Sequence, residues 1–139
     1  MVDAVQAPTE STQAIRVECG MPVAMRDGTI LRADVYRPRV AGRYPVLVER
    51  TPYDLATVFG GRGEYFAARG YVCVVENMRG TFASEGKFSF FEDDGWGVNR
   101  DGHDTVEWAG VQAWSNGHVA TLGGSAAGYT QYALAPTRP

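Results

Sequence analysis

His118-Val-Ala-Thr-Leu-Gly-Gly-Ser-Ala-Ala-Gly-Tyr-Thr-Gln-Tyr132 is the stretch whose reading decides the fold. Val119 to Leu122 is a short apolar run with β-branched residues, the composition of a buried parallel strand. Gly123 and Gly124 end it. Ser125 follows at once, and Ala126, Ala127, Tyr129, Gln131 and Ala133 run on as helix. A serine on such a strand-to-helix turn carries its hydroxyl beyond the carboxyl end of the sheet. The N–H of Ala126 faces the same space, and the helix N-terminus adds positive potential there. This is the arrangement of an activated nucleophile with half of an oxyanion hole. The pattern is Gly-x-Ser-x-x-Gly, because Gly128 comes one residue later than in the usual Gly-x-Ser-x-Gly. Taken alone, the turn also fits an ordinary strand-to-helix connection or a phosphate cradle.

Working outward, the preceding chain supplies two more apolar strands. Tyr44 to Glu49 contains the run Pro45-Val-Leu-Val and is stopped by Pro52; Tyr71 to Val75 is the second. Between them Gly63 to Arg69 reads as helix, closed by Gly70. Glu76 to Gly97 reads as a long loop with aromatics Phe82, Phe88, Phe90, Phe91 and Trp96, and loops of that length in compact domains are functional or unusually well packed. Val98 to Trp114 reads as a helix whose apolar stripe is Val98, Gly102, Val106, Ala109 and Ala113. Ser115-Asn-Gly reads as a turn before the strand His118 to Leu122.

Upstream of residue 42 the pattern differs. Ala14 to Glu18 and Met21 to Arg26 read as short extended runs, and Asp27-Gly28 as a hairpin turn. Thr29 to Tyr36 alternates, with Ile30, Arg32, Asp34 and Tyr36 against Leu31, Ala33 and Val35, as a half-solvated antiparallel strand does. Pro38 stops it. Residues 1–13 read as a mobile leader, and 14–139 as the folded part. Antiparallel opening strands followed by strand–helix alternation imply an α/β fold with a parallel sheet and right-handed crossovers. Ligands on such sheets bind beyond the carboxyl ends of the strands, where Arg50 to Gly61, Glu76 to Gly97 and the Ser125 turn meet.

A formal net charge of -3 argues against nucleic acid or an anionic membrane as the main partner. No apolar run is long enough to span a bilayer, and Met1 to Thr12 lacks the pattern of a secretory signal, so a cytoplasmic setting is the expectation. Cys19 and Cys73 have neither disulfide-scaffold numbers nor metal spacing.

Five segments carry a resemblance to a known family. They are Met25-Arg-Asp-Gly-Thr-Ile-Leu-Arg-Ala-Asp-Val-Tyr-Arg-Pro38, Arg50-Thr-Pro-Tyr-Asp54, Arg79-Gly-Thr-Phe-Ala-Ser-Glu-Gly86, Gly102-His-Asp-Thr-Val-Glu-Trp108 with Gln112-Ala-Trp-Ser-Asn-Gly117, and Gly123-Gly-Ser-Ala-Ala-Gly128. In this order they resemble the N-terminal part of the Xaa-Pro dipeptidyl-peptidase and cocaine-esterase-like (CocE/NonD) serine hydrolases, whose turn is Gly-x-Ser-Tyr-x-Gly. The resemblance implies an α/β-hydrolase fold, present as its N-terminal half, and a serine esterase or acyl or Xaa-Pro dipeptidyl peptidase activity on a small-molecule ester, amide or peptide. It implies no cofactor and no metal. By position, Ser125 resembles the acylating nucleophile, the Ala126 N–H one oxyanion donor and the Tyr53 phenol the second. Two residues depart from the family: Ala126 stands in place of the tyrosine after the nucleophile, and Asn77 where relatives often carry aspartate. In this fold the acid and histidine follow the serine. The chain therefore resembles a truncated enzyme, and these 139 residues alone are expected to be inactive.

His103, on an exposed part of its helix, and His118, at the entry of its strand, are poorly placed as the catalytic base. Asp93, Asp94, Asp101 and Asp104 open a helix, where acidic residues favour the dipole and are solvated or capping. The loop aromatics fit packing better than an acyl pocket. Two alternatives stay open: a small phosphate- or nucleotide-binding α/β module using the Gly123–Gly128 turn as an anion nest, and a non-catalytic remnant of the hydrolase fold.

Overall fold

The computed structural model describes residues 14–58, 60–89 and 91–139, so the expectation for residues 1–13 lies outside it. In chain order the elements are β1 (Ile15–Ala24), β2 (Ile30–Pro38), β3 (Tyr44–Thr51), α1 (Leu55–Val58), α2 (Gly60–Ala67), β4 (Val72–Asn77), α3 (Asp101–Gly110), β5 (Ser115–Thr121) and α4 (Ala126–Leu134), with a 3-10 turn at Ala135–Thr137.

The described strands form one sheet in the order β1-β2-β4-β3-β5. β1 and β2 are antiparallel, and so are β2 and β4. β3 lies parallel to both β4 and β5. The expected architecture is thus present: an antiparallel opening that joins parallel strand–helix units.

Of the boundaries that differ from the sequence reading, three have a visible cause. The two opening runs are one strand, β1, whose pairing to β2 shifts between Glu18 and Met21; Gly20 donates its N–H to Asp34 Oδ1 there. Ser115 belongs to β5 instead of to a turn before it. It is buried and pairs with Tyr44, and the register shifts before Val119 takes up its place opposite Val46. Asn99 Nδ2 donates to Asp93 Oδ1, and the Asp101 and Gly102 amides donate to the Asp93 and Asp94 carbonyls, so residues 98–100 are held as loop and α3 starts at Asp101. Val98 and Val111, read as part of the helical span, are 88% and 79% exposed.

Both faces of the sheet are covered. Val23, Leu31, Val35, Val46, Val48, Val72 and Val74 pack with Ala109 of α3. On the other face Tyr36, Leu55, Ala67, Cys73 and Val75 form a second cluster with Phe66 of α2. Every residue of β4 is buried, as a strand covered on both sides requires. This corrects the solvated assignment of Tyr36. α2 approaches so closely that a Cβ on Gly63 would run into the Tyr36 ring.

Candidate active site

The site lies beyond the carboxyl ends of β3 and β5, which are adjacent parallel strands. β5 ends at Thr121, and the Leu122 N–H still donates to the Val48 carbonyl at 3.0 Å. The chain then turns sharply. Gly123 has φ 119°, and Ser125, directly before α4, has φ 55° and ψ -121°. A non-glycine residue there is strained, and such strain persists where surrounding contacts over-determine it. Ser125 is exposed, and its carbonyl accepts the Tyr129 N–H at 3.0 Å, which starts the helix. Ala126 is the first helical residue. First-turn N–H groups have no acceptor within their own helix and carry the positive end of its dipole.

Three side chains fix this turn. A Cβ on Gly123 would stand 2.5 Å from Ala127 Cβ and 2.8 Å from Glu49 Oε1, so any larger residue would be strained and would force a neighbour to shift. Gln131 reaches back along α4: its Nε2 donates to the Gly123 carbonyl at 2.8 Å, and its Oε1 accepts from Thr121 Oγ1 at 3.0 Å. Ala127, therefore, and not Gly128, is the residue packed against the turn. A Cβ on Gly128 would meet nothing nearer than the Gly123 oxygen at 3.6 Å, an ordinary contact. Sequence reasoning passed over Gln131, although a glutamine six residues after the serine has the length to reach the turn.

Tyr53 follows the end of β3 and is 54% exposed. Its backbone is held at both ends. The N–H donates to Thr51 Oγ1 at 3.1 Å, and the carbonyl accepts from Asn77 Nδ2 at 2.8 Å. Asn77 is buried at the end of β4, so the residue that departs from the family pattern is an anchor of the Tyr53 loop.

Behind the site runs a charged network that the sequence did not disclose. Asp94 and Asp101, expected to be solvated or capping, are each 1% exposed and paired with arginines. Arg50 donates to Glu76 Oε1 from Nε at 2.7 Å and to Asp94 Oδ1 from Nη1. Arg79 makes a two-pronged pair with Asp101 at 2.8 and 2.7 Å and reaches Asp27 Oδ2 at 2.8 Å. Thr105 Oγ1 lies 2.9 Å from both Glu76 oxygens. Burial, opposed by Arg50, pushes the Glu76 carboxyl up to about 7, and burial also raises Asp101. The hydrogen bond from Arg79 brings Asp27 down to about 2. Asp104 is half-buried on α3 and paired with Arg26. Among the described residues no group of three or more His, Cys, Asp or Glu side chains is arranged to hold a metal ion.

Neither histidine approaches the turn. His103 Nδ1 is 3.1 Å from Thr137 Oγ1. His118 is exposed in the middle of β5, about 10 Å of strand before its end. Of the loop aromatics, Phe91 is buried against Tyr129 with ring centroids 4.3 Å apart, as packing predicts, whereas Phe82 and Trp96 are exposed; Phe90 lies outside the described residues. A surface groove of about 380 Å³ runs along Ala24, Arg26, Asp104 and Trp108, and neither Tyr53, Ser125 nor Ala126 lines it.

Residues 27–139 match the X-Pro dipeptidyl-peptidase (S15) family. The chain is 40% identical to the cocaine esterase of Rhodococcus sp. (strain MB1 Bresler), a match covering 86% of this chain and 21% of that protein. Among solved structures it is similar to a CocE/NonD family hydrolase from Staphylococcus aureus, at 27% identity and TM-score 0.79 over 91% of this chain and 26% of that one. It is also similar to an α-amino acid ester hydrolase, at 25% identity and TM-score 0.76 over 99% of this chain and 26% of that one. The chain spans about a fifth of the length of the curated relatives it matches.

Proposed function

The chain belongs to the X-Pro dipeptidyl-peptidase (S15) family of α/β-hydrolases, and from that premise we propose that it supplies the nucleophile half of a serine hydrolase acting on small esters, amides or peptides. The observation that carries this reading is the backbone of Ser125: a strained, exposed serine set between the end of a parallel strand and the first turn of a helix. Family membership alone supports a hydrolase of the esterase or peptidase kind; the serine route is the finer part of the proposal.

With its proton taken by a base, Ser125 Oγ attacks the substrate carbonyl, the alcohol or amine leaves carrying that proton, and water later hydrolyses the acyl-enzyme. The Ala126 N–H and the Tyr53 phenol donate to the oxyanion that develops. Both arise at the ends of adjacent parallel strands, which is why two residues 73 positions apart can serve one atom. The side chain at 126 has no part in that donation, so alanine there retains the backbone donor. The base is neither of the chain's two histidines, given where they lie, so we propose that this chain acts as part of a longer enzyme and that the 139 residues alone do not turn over esters. Small substrates are the expected partners, with nucleic acid and membrane not expected; among the described residues no helix is long and apolar enough to cross a membrane. A cytoplasmic setting remains part of the proposal.

The test is covalent labelling by a fluorophosphonate. Full-length protein containing this chain should label at Ser125, and Ser125→Ala should abolish both labelling and p-nitrophenyl ester hydrolysis. Labelling elsewhere, or hydrolysis undiminished in Ser125→Ala, would sink the reading. The isolated chain should label far more slowly.

A further inference from the structure

Glu49 has no part in the mechanism above and is expensive to bury. It is 1% exposed at the end of β3, opposite Val75, on the face where Leu55, Ala67 and Cys73 form an apolar cluster. Both of its oxygens lie 2.7 Å from Nη1 of Arg62 on α2, whose side chain is 44% exposed. Burial nonetheless holds the carboxyl above its usual range, with Arg62 opposing. An ion pair in such a place is a poor source of stability, because well-packed apolar residues of similar volume generally do as well or better.

What the carboxylate touches is the turn. A Cβ on Gly123 would stand 2.8 Å from Glu49 Oε1 and 3.2 Å from its Cδ. Gly123 is therefore enclosed between the first turn of α4 and the tip of the Glu49 side chain, while Gln131 holds its carbonyl. Ser125, a non-glycine residue, sits at positive φ, where relaxation toward ordinary backbone is downhill unless something blocks it, and Gly123 supplies the φ of 119° that the turn needs just before it.

Resting on the reading of Ser125 as the nucleophile, we infer that Glu49, locked in place by Arg62, is a positioning residue for the catalytic serine. Its carboxylate closes the space into which the Gly123–Ser125 turn would collapse, and so keeps the hydroxyl aimed beyond the sheet. Arg62 keeps the carboxylate against the turn and stops it from swinging toward solvent. Bulk supplies the block and charge supplies the lock, so glutamine, with the same shape, retains the first and loses the second.

The experiment compares wild type, Glu49→Ala, Glu49→Gln and Ser125→Ala in the full-length protein by ester kinetics, and by hydrogen exchange resolved to residues 119–128. Glu49→Ala should lower kcat between about 10- and 100-fold, the range of an ångström-scale misplacement, with KM nearly unchanged. Glu49→Gln should recover most of that loss. Exchange at residues 122–127 should quicken in Glu49→Ala while β1 and β2 keep wild-type rates. An unchanged kcat in folded Glu49→Ala, a rise in KM alone, or exchange that quickens equally everywhere would overturn the inference. If Ser125→Ala retains the wild-type rate, the serine reading fails instead, and exchange at residues 122–127 then decides by itself whether Glu49 holds the turn.

Discussion

Ser125 is built for exposure at the expense of its own backbone. A non-glycine residue at φ 55° and ψ -121° costs of order 1–3 kcal/mol, and the contacts of Gly123, Ala127 and Gln131 hold it there. The dependence can be probed one atom at a time. Gly123→Ala adds a methyl 2.5 Å from Ala127 Cβ, in a backbone conformation alanine resists. It should cost about 1–3 kcal/mol in urea unfolding and abolish fluorophosphonate labelling at Ser125. Tyr53→Phe removes a phenolic donor from a half-exposed side chain and should leave the fold intact. In the full-length enzyme it should lower kcat about 100- to 1000-fold with little change in KM, as loss of one oxyanion donor does; an unchanged kcat would remove Tyr53 from the site. The Ser125 turn was legible because glycine, serine and the strand before them act locally, whereas Tyr53 was suggested only by the family resemblance. The close packing against the turn falls on Ala127 and not on Gly128, and only the path of α4 shows it.

The segment between β4 and α3 shows where local reading runs out. Its order comes from partners far away in the chain. The Glu85 N–H donates to the Ile30 carbonyl, and the Arg32 N–H to Ser84 Oγ, so the Arg79–Gly86 segment lies along the start of β2. Arg79 then ties the segment to Asp101 at the start of α3 and to Asp27 in the first hairpin turn. Spacings of 22 and 52 residues leave no periodic trace, so Asp101 and Asp94 read as helix-opening acids when they are buried counter-ions. Removing one partner of such a pair leaves the other charge unpaired. Arg79→Met should therefore cost about 3–5 kcal/mol in urea unfolding. Arg26→Met, at the more exposed pair with Asp104, should cost far less, because solvent screens that pair. Comparable losses would mean that the segment is not anchored through Arg79. Asn77→Asp turns an amide donor into an acceptor facing the Tyr53 carbonyl. It should cost roughly 1–3 kcal/mol and loosen the Tyr53 loop, seen as faster exchange of its amides.

Across the whole molecule, one sheet divides the interior into an apolar layer on each side, and the charged network interrupts one layer where β3 and β4 end. Alternation of strands and helices was enough to read the sheet, because the apolar runs mark its strands and Gly28, Gly70 and Gly123 fall at boundaries between elements. The network could not be read, because its members reach one another only once the strands are in register, with Arg50 beside Glu76. Glu76, Asp94 and Asp101 bring three carboxylates to two guanidiniums, Arg50 and Arg79, and Asp27 adds a fourth from the rim. A buried surplus of negative charge retains a proton most readily on its most enclosed member, and Glu76 is fully buried with its carboxyl near 7. The sign of the pH dependence follows. The unfolded chain releases this proton near 4.5 and the folded one near 7, so the folded state binds more protons in between. Stability from this group is then fully present below about 4.5 and is lost as pH rises to 7. Asp27 acts in the opposite sense: its carboxyl lies near 2 against an ordinary 3.8, so its contribution is present above 3.8 and lost as pH falls through 2. Glu76→Gln holds the site neutral at every pH. Between pH 4.5 and 7 the wild-type Tm should fall more steeply than that of Glu76→Gln, while below pH 3.8 the two should lose stability alike. Parallel Tm curves across the upper window would show that Glu76 is ionised throughout, with Arg50 compensating its burial in full.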